Sequence, residues 1–181
     1  MRIISGNNKG RKIKVLKDFK DHPTTDFAKE SLFNILNNLY YFEDIRVLDL
    51  FTGSGNISFE FASHGTSDIT LVDSNSRYVR FIEQQTEGIF PEVDFNCIIA
   101  DAFDFVKNTP LNYDIIFADP PYSMENVDKL PDLVFANEHI SDDLLFILEH
   151  SKKQNFKNHH FFIKERKYGN VHFSMFSNEK K

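Results

Sequence analysis

The chain has 181 residues, a formal net charge of −6 and 41% hydrophobic residues, which indicates one soluble globular unit. Its single cysteine excludes an internal disulfide and a zinc site built on cysteines, and no metal site is expected. With no apolar run near the ~20 residues that span a bilayer, and no signal-peptide pattern at the start, the sequence predicts a cytoplasmic protein.

The N-terminal segment carries a concentrated positive charge, because seven of the first 20 residues are basic and one is acidic. Residues 1–16 predict a short β-hairpin around "GNNKG", with a second strand that places lysines on one face. A basic segment on an acidic body is typical of contact with phosphates, and the alternative is a solvated terminus. The candidates for that contact are Arg2, Lys9, Arg11, Lys12 and Lys14.

The next stretch, "PTTDFAKESLFNILNNL", predicts a helix capped by Thr24 or Thr25, with apolar residues at helical spacing. From Ile45 onward, predicted strands and helices alternate, which indicates a parallel sheet covered by helices. The strands are expected near 45–50, 68–73, 94–100, 113–119 and 143–149. The helices are expected near 56–64, 75–87, 101–107, 125–137 and 151–156.

The final segment breaks this alternation, since two phenylalanine-rich strands flank "KYGN" and predict a closing antiparallel hairpin. The predicted fold class is therefore α/β, with a mostly parallel seven-stranded sheet, a C-terminal antiparallel hairpin and an N-terminal hairpin-plus-helix extension.

A glycine loop follows the first strand of the alternating region, in "VLDLFTGSGNISFEFA". Gly53 and Gly55 allow a ligand to approach the backbone closely, but Ser58 stands where a dinucleotide fingerprint has its third glycine. The loop alone is also compatible with a tight turn between strand and helix.

Three acids accompany this loop. Asp49 lies inside the apolar strand itself and needs a buried partner, while Asp73 and Asp101 end the next two strands. Each acid alone is a reasonable helix cap. At successive strand ends beside a glycine loop, they favour a nucleoside ligand, with Asp73 on the ribose and Asp101 on an adenine amine.

The fourth strand ends in "DPPY", Asp119, Pro120, Pro121 and Tyr122. The prolines fix the chain direction and leave their carbonyls as acceptors, the aspartate adds a carboxylate, and the tyrosine offers a flat ring. This set can hold an amino group in the plane of a ring stacked on Tyr122, although a proline-stiffened loop would have the same sequence.

The pattern "DLFTGSG" resembles motif I of class I S-adenosylmethionine (SAM) methyltransferases, and "DPPY" resembles the signature of amino methyltransferases. The resemblance implies SAM as cofactor and the "DPPY" residues as catalytic. The cofactor contacts that it implies are Thr25, Asp49, Phe51, Gly53, Ser54, Gly55, Asn56, Asp73, Ser74, Asp101 and Ala102.

Together with "RIISGNNKGRKI" and "HPTTDFAKESLFNIL", these motifs resemble the bacterial 16S rRNA (guanine-N(2))-methyltransferase family (RsmD-like) over nearly the whole chain. The resemblance implies action on ribosomal RNA or the small ribosomal subunit, with the basic N-terminal residues on the RNA. The chain is expected to be a monomer. The resemblance also implies one domain over 1–181, with an extension at 1–40 and a SAM-binding core at 45–181. His22 and Phe27 replace arginines of the family pattern.

Other functions are compatible with the same motifs. The "DPPY" sequence also serves methyl transfer to DNA or to a protein glutamine, and the fold can persist in a non-catalytic RNA-binding module. A nicotinamide dehydrogenase is disfavoured by the missing third glycine.

Overall fold

The computed structural model describes residues 1–16 and 24–178, so His22 and the end of the basic segment lie outside the described residues. Within these ranges seven strands form one sheet in the order β3-β2-β1-β4-β5-β7-β6. The strands are β1 (Arg46–Leu50), β2 (Asp68–Asp73), β3 (Asp94–Ile99), β4 (Ile115–Ala118), β5 (Leu145–His150), β6 (Phe162–Tyr168) and β7 (Val171–Phe176). The helices are α1 (Asp26–Leu36), α2 (Asn56–His64), α3 (Ser76–Ile89), α4 (Ala102–Asn108) and α5 (Leu130–Phe135).

The strands β3, β2, β1, β4 and β5 run parallel, whereas β7 is antiparallel to both β5 and β6. The predicted α/β class, the parallel sheet and the C-terminal hairpin are therefore confirmed. The central strands β1 and β4 are buried almost throughout, since hydrophobic layers cover both faces of the sheet. This burial explains why their sequences are mostly apolar without alternation, with Asp49 as the buried exception in β1.

Two of the predicted helices differ from the structure. Residues 151–156 form turns, in which the Ser151 hydroxyl and the Asn155 side chain accept hydrogen bonds from backbone N–H groups two residues later. Such local bonds compete with a helix. The helix expected over 125–137 is shorter, because Asn126 has a left-handed backbone and Pro131 fits only the first turn of α5.

The predicted N-terminal hairpin is present as a chain reversal without regular strands, since Arg2 and Lys12 form an isolated antiparallel bridge. Its turn instead docks on the end of α2, where the Asn7 N–H donates to the Ser63 carbonyl at 2.7 Å. Gly6 permits this approach, because it has a φ of +74° and an added Cβ would lie 2.1 Å from that carbonyl oxygen. Ile3 and Ile13 are buried in the main core, so the N-terminal arm (residues 1–16) is part of the packed molecule.

Candidate nucleotide-binding and amine-binding site

The candidate residues meet at the carboxyl ends of β1 and β4. The strand order reverses between these two neighbours, which is where open α/β sheets form their ligand crevice. Leu50 pairs with Ala118 across the two strands, so the glycine loop and the "DPPY" segment leave the sheet side by side. The Asp119 N–H donates to the Leu50 carbonyl at 3.3 Å and joins the two segments directly.

The glycine loop has an uncommon backbone. Phe51, Gly53 and Gly55 all have positive φ values, of 59°, 52° and 75°. For Phe51 this conformation is strained, and such strain is concentrated at functional sites. The Phe51 ring is half-buried and packs edge-to-face on Phe103 at the start of α4.

The carboxylates of Asp49 and Asp73 fix the conformation of this loop through hydrogen bonds. The buried Asp49 carboxylate accepts hydrogen bonds from the Thr52 and Ser58 hydroxyls, and burial raises its pKa to about 6. The Asp73 carboxylate accepts from the Gly53 N–H at 2.9 Å and from the Asn75 N–H at 2.8 Å. The predicted buried partner of Asp49 is thus present, and Ser58, where a dinucleotide fingerprint has glycine, supplies part of it.

The remaining predicted cofactor residues lie around this loop. Asp101 is exposed at the end of β3 and caps α4 by accepting from the Asp104 N–H, while Ala102 is the buried first residue of that helix. Ser74 is exposed beside Asp73, and the half-buried Ser54 hydroxyl contacts the Met1 sulfur at 3.5 Å. The structure therefore brings the acids of β2 and β3 to the rim of the same crevice.

Thr25 and Asn56 already have protein partners. The Thr25 hydroxyl caps α1 by accepting from the Ala28 N–H at 3.3 Å. The buried Asn56 side chain accepts from the Lys29 ammonium at 2.7 Å and donates to the Thr24 carbonyl at 3.2 Å. These bonds connect the start of α2 to the start of α1.

The "DPPY" segment presents its ring to solvent and fixes its hydroxyl group. Asp119 is half-buried, Pro120 is buried, and the Pro121 carbonyl accepts from the Met124 N–H at 2.8 Å, which closes a turn. Tyr122 is 44% exposed, and its hydroxyl donates to the Glu149 carboxylate at 3.2 Å. Part of a tyrosine ring is thus accessible beside an aspartate and two prolines.

Glu149 lies near the end of β5 and is almost completely buried. Its second oxygen accepts from the Thr24 hydroxyl at 2.7 Å. Burial raises its pKa to about 7, although both hydrogen bonds favour the charged form. Burial, followed by the nearby charges of Glu149 and Asp119, raises the pKa of the Tyr122 phenol as well.

A buried ion pair lies beneath the N-terminal arm. The Lys29 ammonium is 2.8 Å from the Glu60 carboxylate, and both side chains are 1% exposed. Glu60 also accepts from the N–H groups of Ile4 and Ser5, and Lys29 donates to the Arg2 carbonyl. The arm is therefore held to α1 and α2 by charge-assisted hydrogen bonds.

The predicted RNA-contact residues fall into two groups. Lys9, Lys12 and Lys14 are exposed and form no ion pair with another described residue. Arg2 pairs with Asp26 at 3.1 Å, and the Arg11 guanidinium donates to the carbonyls of Gly88 and Ile89 at the end of α3. The two arginines thus also attach the arm to the body.

Sequence reasoning missed Lys29, Glu60 and Glu149. The two acids could have been found by the pattern that identified Asp49, an acid inside an apolar segment. Glu60 lies in "ISFEFA" and Glu149 lies in "FILEH". A buried acid requires a partner, so the same rule would have found both.

No cluster of possible metal ligands occurs within residues 1–16 and 24–178. None of the helices in these ranges has the length and apolar character needed to cross a membrane.

Residues 1–177 match the family described as Conserved hypothetical protein 95. The chain belongs to this family. Among its relatives is ribosomal RNA small subunit methyltransferase D of Haemophilus influenzae, 27% identical over 98% of this chain and 94% of that protein. The protein of the same name from Buchnera aphidicola subsp. Acyrthosiphon pisum is 32% identical over 84% of this chain and 79% of its own length.

Solved structures support the same fold. The Escherichia coli protein yhhF superposes with a TM-score of 0.84 at 24% identity, covering 100% of this chain and 99% of its own. The Thermus thermophilus 16S rRNA N2 G1207 methyltransferase RsmC, solved with AdoMet and guanosine, has a TM-score of 0.70 at 17% identity. That alignment covers 99% of this chain and 49% of RsmC. The chain has the class I SAM methyltransferase fold.

Proposed function

We propose that this protein transfers a methyl group from SAM to the exocyclic 2-amino group of a guanine in 16S ribosomal RNA. The observation that carries the proposal is the "DPPY" segment at the reversal of strand order, with the exposed Tyr122 ring beside Asp119 and the strained glycine loop of β1. The relatives named ribosomal RNA small subunit methyltransferase D support the substrate class.

The crevice fits the cofactor chemically. Asp73 and Asp101 present carboxylates at neighbouring strand ends, and these can accept from the hydroxyl and amine groups of a nucleoside. The left-handed glycine loop allows a ligand chain to approach its backbone. When bound, SAM supplies an electrophilic methyl group on its sulfonium.

The "DPPY" residues would orient the acceptor. Asp119 and the Pro120 carbonyl would accept hydrogen bonds from the two amine protons and so direct the nitrogen lone pair toward the methyl group. The N–C bond would form as the bond from the methyl group to sulfur breaks, which leaves a neutral thioether, and the nitrogen would release one proton to solvent. A base stacked on Tyr122 would gain about 1–3 kcal/mol. Orientation of two reactants can supply up to about 7–11 kcal/mol of the barrier reduction.

The N-terminal arm is the proposed RNA contact. Lys9, Lys12 and Lys14 are exposed and can neutralise phosphates, which would make binding weaken steeply with salt. The arm packs into the same core as the sheet, which supports a single domain in which residues 1–40 extend the core at 45–181.

The proposal is tested by incubating the protein with methyl-labelled SAM and, in parallel, 30S subunits, naked 16S rRNA, DNA and a bulk protein fraction. We expect label in the ribosomal substrates, at the guanine 2-amino group. Label only in DNA or in protein glutamine would support the alternative acceptors, and no transfer to any acceptor would support a non-catalytic RNA-binding module.

The Asp119→Ala variant examines the role of the carboxylate. We expect it to retain SAM affinity in calorimetry, because Asp119 faces the amine, and to lose at least about 100-fold in methyl transfer. Normal turnover by this variant would refute the amine-holding mechanism while leaving the assignment of the activity intact.

A further inference from the structure

A cavity of about 460 Å³ lies beside the candidate site and has no role in the mechanism above. One wall is the loop after "DPPY", with Met124, Asn126 and Val127, and the other is the segment after β5, with Lys153 and Asn158. Because β4 and β5 are parallel neighbours, both walls leave the sheet at the edge that carries the crevice. The volume is within the range of small-ligand sites.

The lining of this cavity suits a nucleobase. Val127 and the buried Phe156 give it an apolar floor, while Asn126, Gln154, Asn155 and Asn158 contribute side-chain amides. Within the part of the chain that the structure describes, the amides of Asn126 and Asn158 form no hydrogen bond. An amide carries both donors and acceptors, which is the complement of a base edge.

The loop that supplies the second wall of the cavity is basic. Residues 151–160 contain Lys152, Lys153 and Lys157 and no acid, and all three lysines are exposed without an ion pair to another described residue. The lining itself contains both Asp128 and Lys153, so its charge is mixed, whereas Lys152 and Lys157 are neighbours of lining residues in the sequence. Phosphates are therefore expected on the lysines of this loop, and the base is expected inside the cavity.

The cavity is also connected to the tyrosine that would stack the target guanine. Met124 is held to Pro121 by a backbone hydrogen bond of 2.8 Å, and the segment after β5 begins next to Glu149, which binds the Tyr122 hydroxyl. Both walls thus continue directly from residues that fix the Tyr122 ring.

We propose that this cavity binds a nucleotide adjoining the methylated guanine, with its base between the two walls and the neighbouring phosphates on Lys153 and Lys157. The inference rests on the proposed function, since it assigns a second contact to the same RNA strand. It adds a second basic segment, the loop 151–160, to the N-terminal arm as a contact for the RNA.

The charge part is tested with the double variant Lys153→Gln, Lys157→Gln, which removes two positive charges. Filter binding of a 16S rRNA transcript at several salt concentrations should give a log–log salt slope about 1.5 smaller than that of the wild type, since each phosphate contact contributes about 0.7–0.9. The matched control is Lys107→Glu, which changes the net charge equally at the far end of α4. A slope equal to that of this control would overturn the proposal.

The cavity part is tested with Asn158→Trp, which fills the space from an exposed position, against Asn108→Trp at the end of α4. We expect kcat/KM for RNA to fall at least about fivefold in the first variant, with an unchanged SAM affinity and thermal midpoint. Wild-type kcat/KM would overturn the proposal. If the wild type itself transferred no methyl group to rRNA, the proposed function would fail, and the binding slope would still decide whether loop 151–160 contacts RNA.

Discussion

At the scale of single residues, the orientation of the Tyr122 hydroxyl depends on an acid that lies 27 positions away in the sequence. Glu149 is taken out of water by β5, and its two oxygens accept hydrogen bonds from Tyr122 and Thr24. A ring with a fixed hydroxyl loses less freedom when a base stacks on it, so this bond pre-organises the acceptor site. Glu149 is thus a positioning residue for the proposed reaction.

A double-mutant cycle with Tyr122→Phe and Glu149→Gln measures this coupling. Each variant should lower kcat/KM for RNA, and the double variant should be little worse than either, which corresponds to a coupling of about 0.5–3 kcal/mol. The SAM affinity should be unchanged throughout. Tyr113→Phe is the control, because it removes a tyrosine hydroxyl that contacts Thr70 away from "DPPY". Additive losses would show that Glu149 acts independently of Tyr122.

At the scale of elements, the arm, α1 and α2 are joined by the buried pair of Lys29 and Glu60. Together with Asn56 and Thr24, this pair forms a polar connection from the arm to Glu149. Deleting residues 1–16 would also remove Ile3 and Ile13 from the core and so destabilise the fold. Charge substitutions at the exposed lysines of the arm therefore test RNA contact without this loss of packing.

Lys29→Met should destabilise the protein by about 3–5 kcal/mol, because it leaves the Glu60 carboxylate buried without its counter-ion. The free energy of unfolding in urea measures the loss. The comparison is Asp26→Asn, because Asp26 lies on the same helix as Lys29 and forms an exposed ion pair with Arg2 of the arm. This substitution should change stability by less than about 1 kcal/mol. Equal effects of the two substitutions would contradict the role given to the buried pair.

At the scale of the whole molecule, buried acids at the crevice make stability depend on pH. Burial raises the pKa of Glu149 from 4.5 to about 7 and that of Asp49 from 3.8 to about 6. At a pH between the unfolded and the folded pKa of either group, the folded state binds more protons than the unfolded state. The stabilisation from each group is therefore full below its unfolded pKa and is lost as pH rises through its folded pKa.

Urea unfolding across pH 4 to 8 should consequently show a smaller fall in stability for Glu149→Gln than for the wild type, with the difference confined to about pH 4.5–7. Glu165, whose pKa is lowered by His172 and Lys167, contributes with the opposite sign in both proteins. Parallel curves for wild type and variant would show that the Glu149 carboxyl titrates normally.

Much of the fold was predictable, because its signals are local. Buried parallel strands are short apolar runs, and the turns after β1 and between β6 and β7 require the left-handed backbones that Gly53, Gly55 and Gly169 adopt. The helix predicted over 151–156 failed for a local reason too, since Ser151 and Asn155 bond their own backbone and leave a loop.

The sequence by itself determined the order of the elements and the three acids and "DPPY" at the strand ends, because a strand, its stop and the following residues are contiguous. Only the tertiary structure decided what surrounds them: the Glu149–Tyr122 bond, the Lys29–Glu60 pair and the cavity beside loop 151–160. Each of these joins segments that are distant in the chain. Strand order and burial determine which residues become partners, and no local sequence pattern predicts which buried acid will contact which donor.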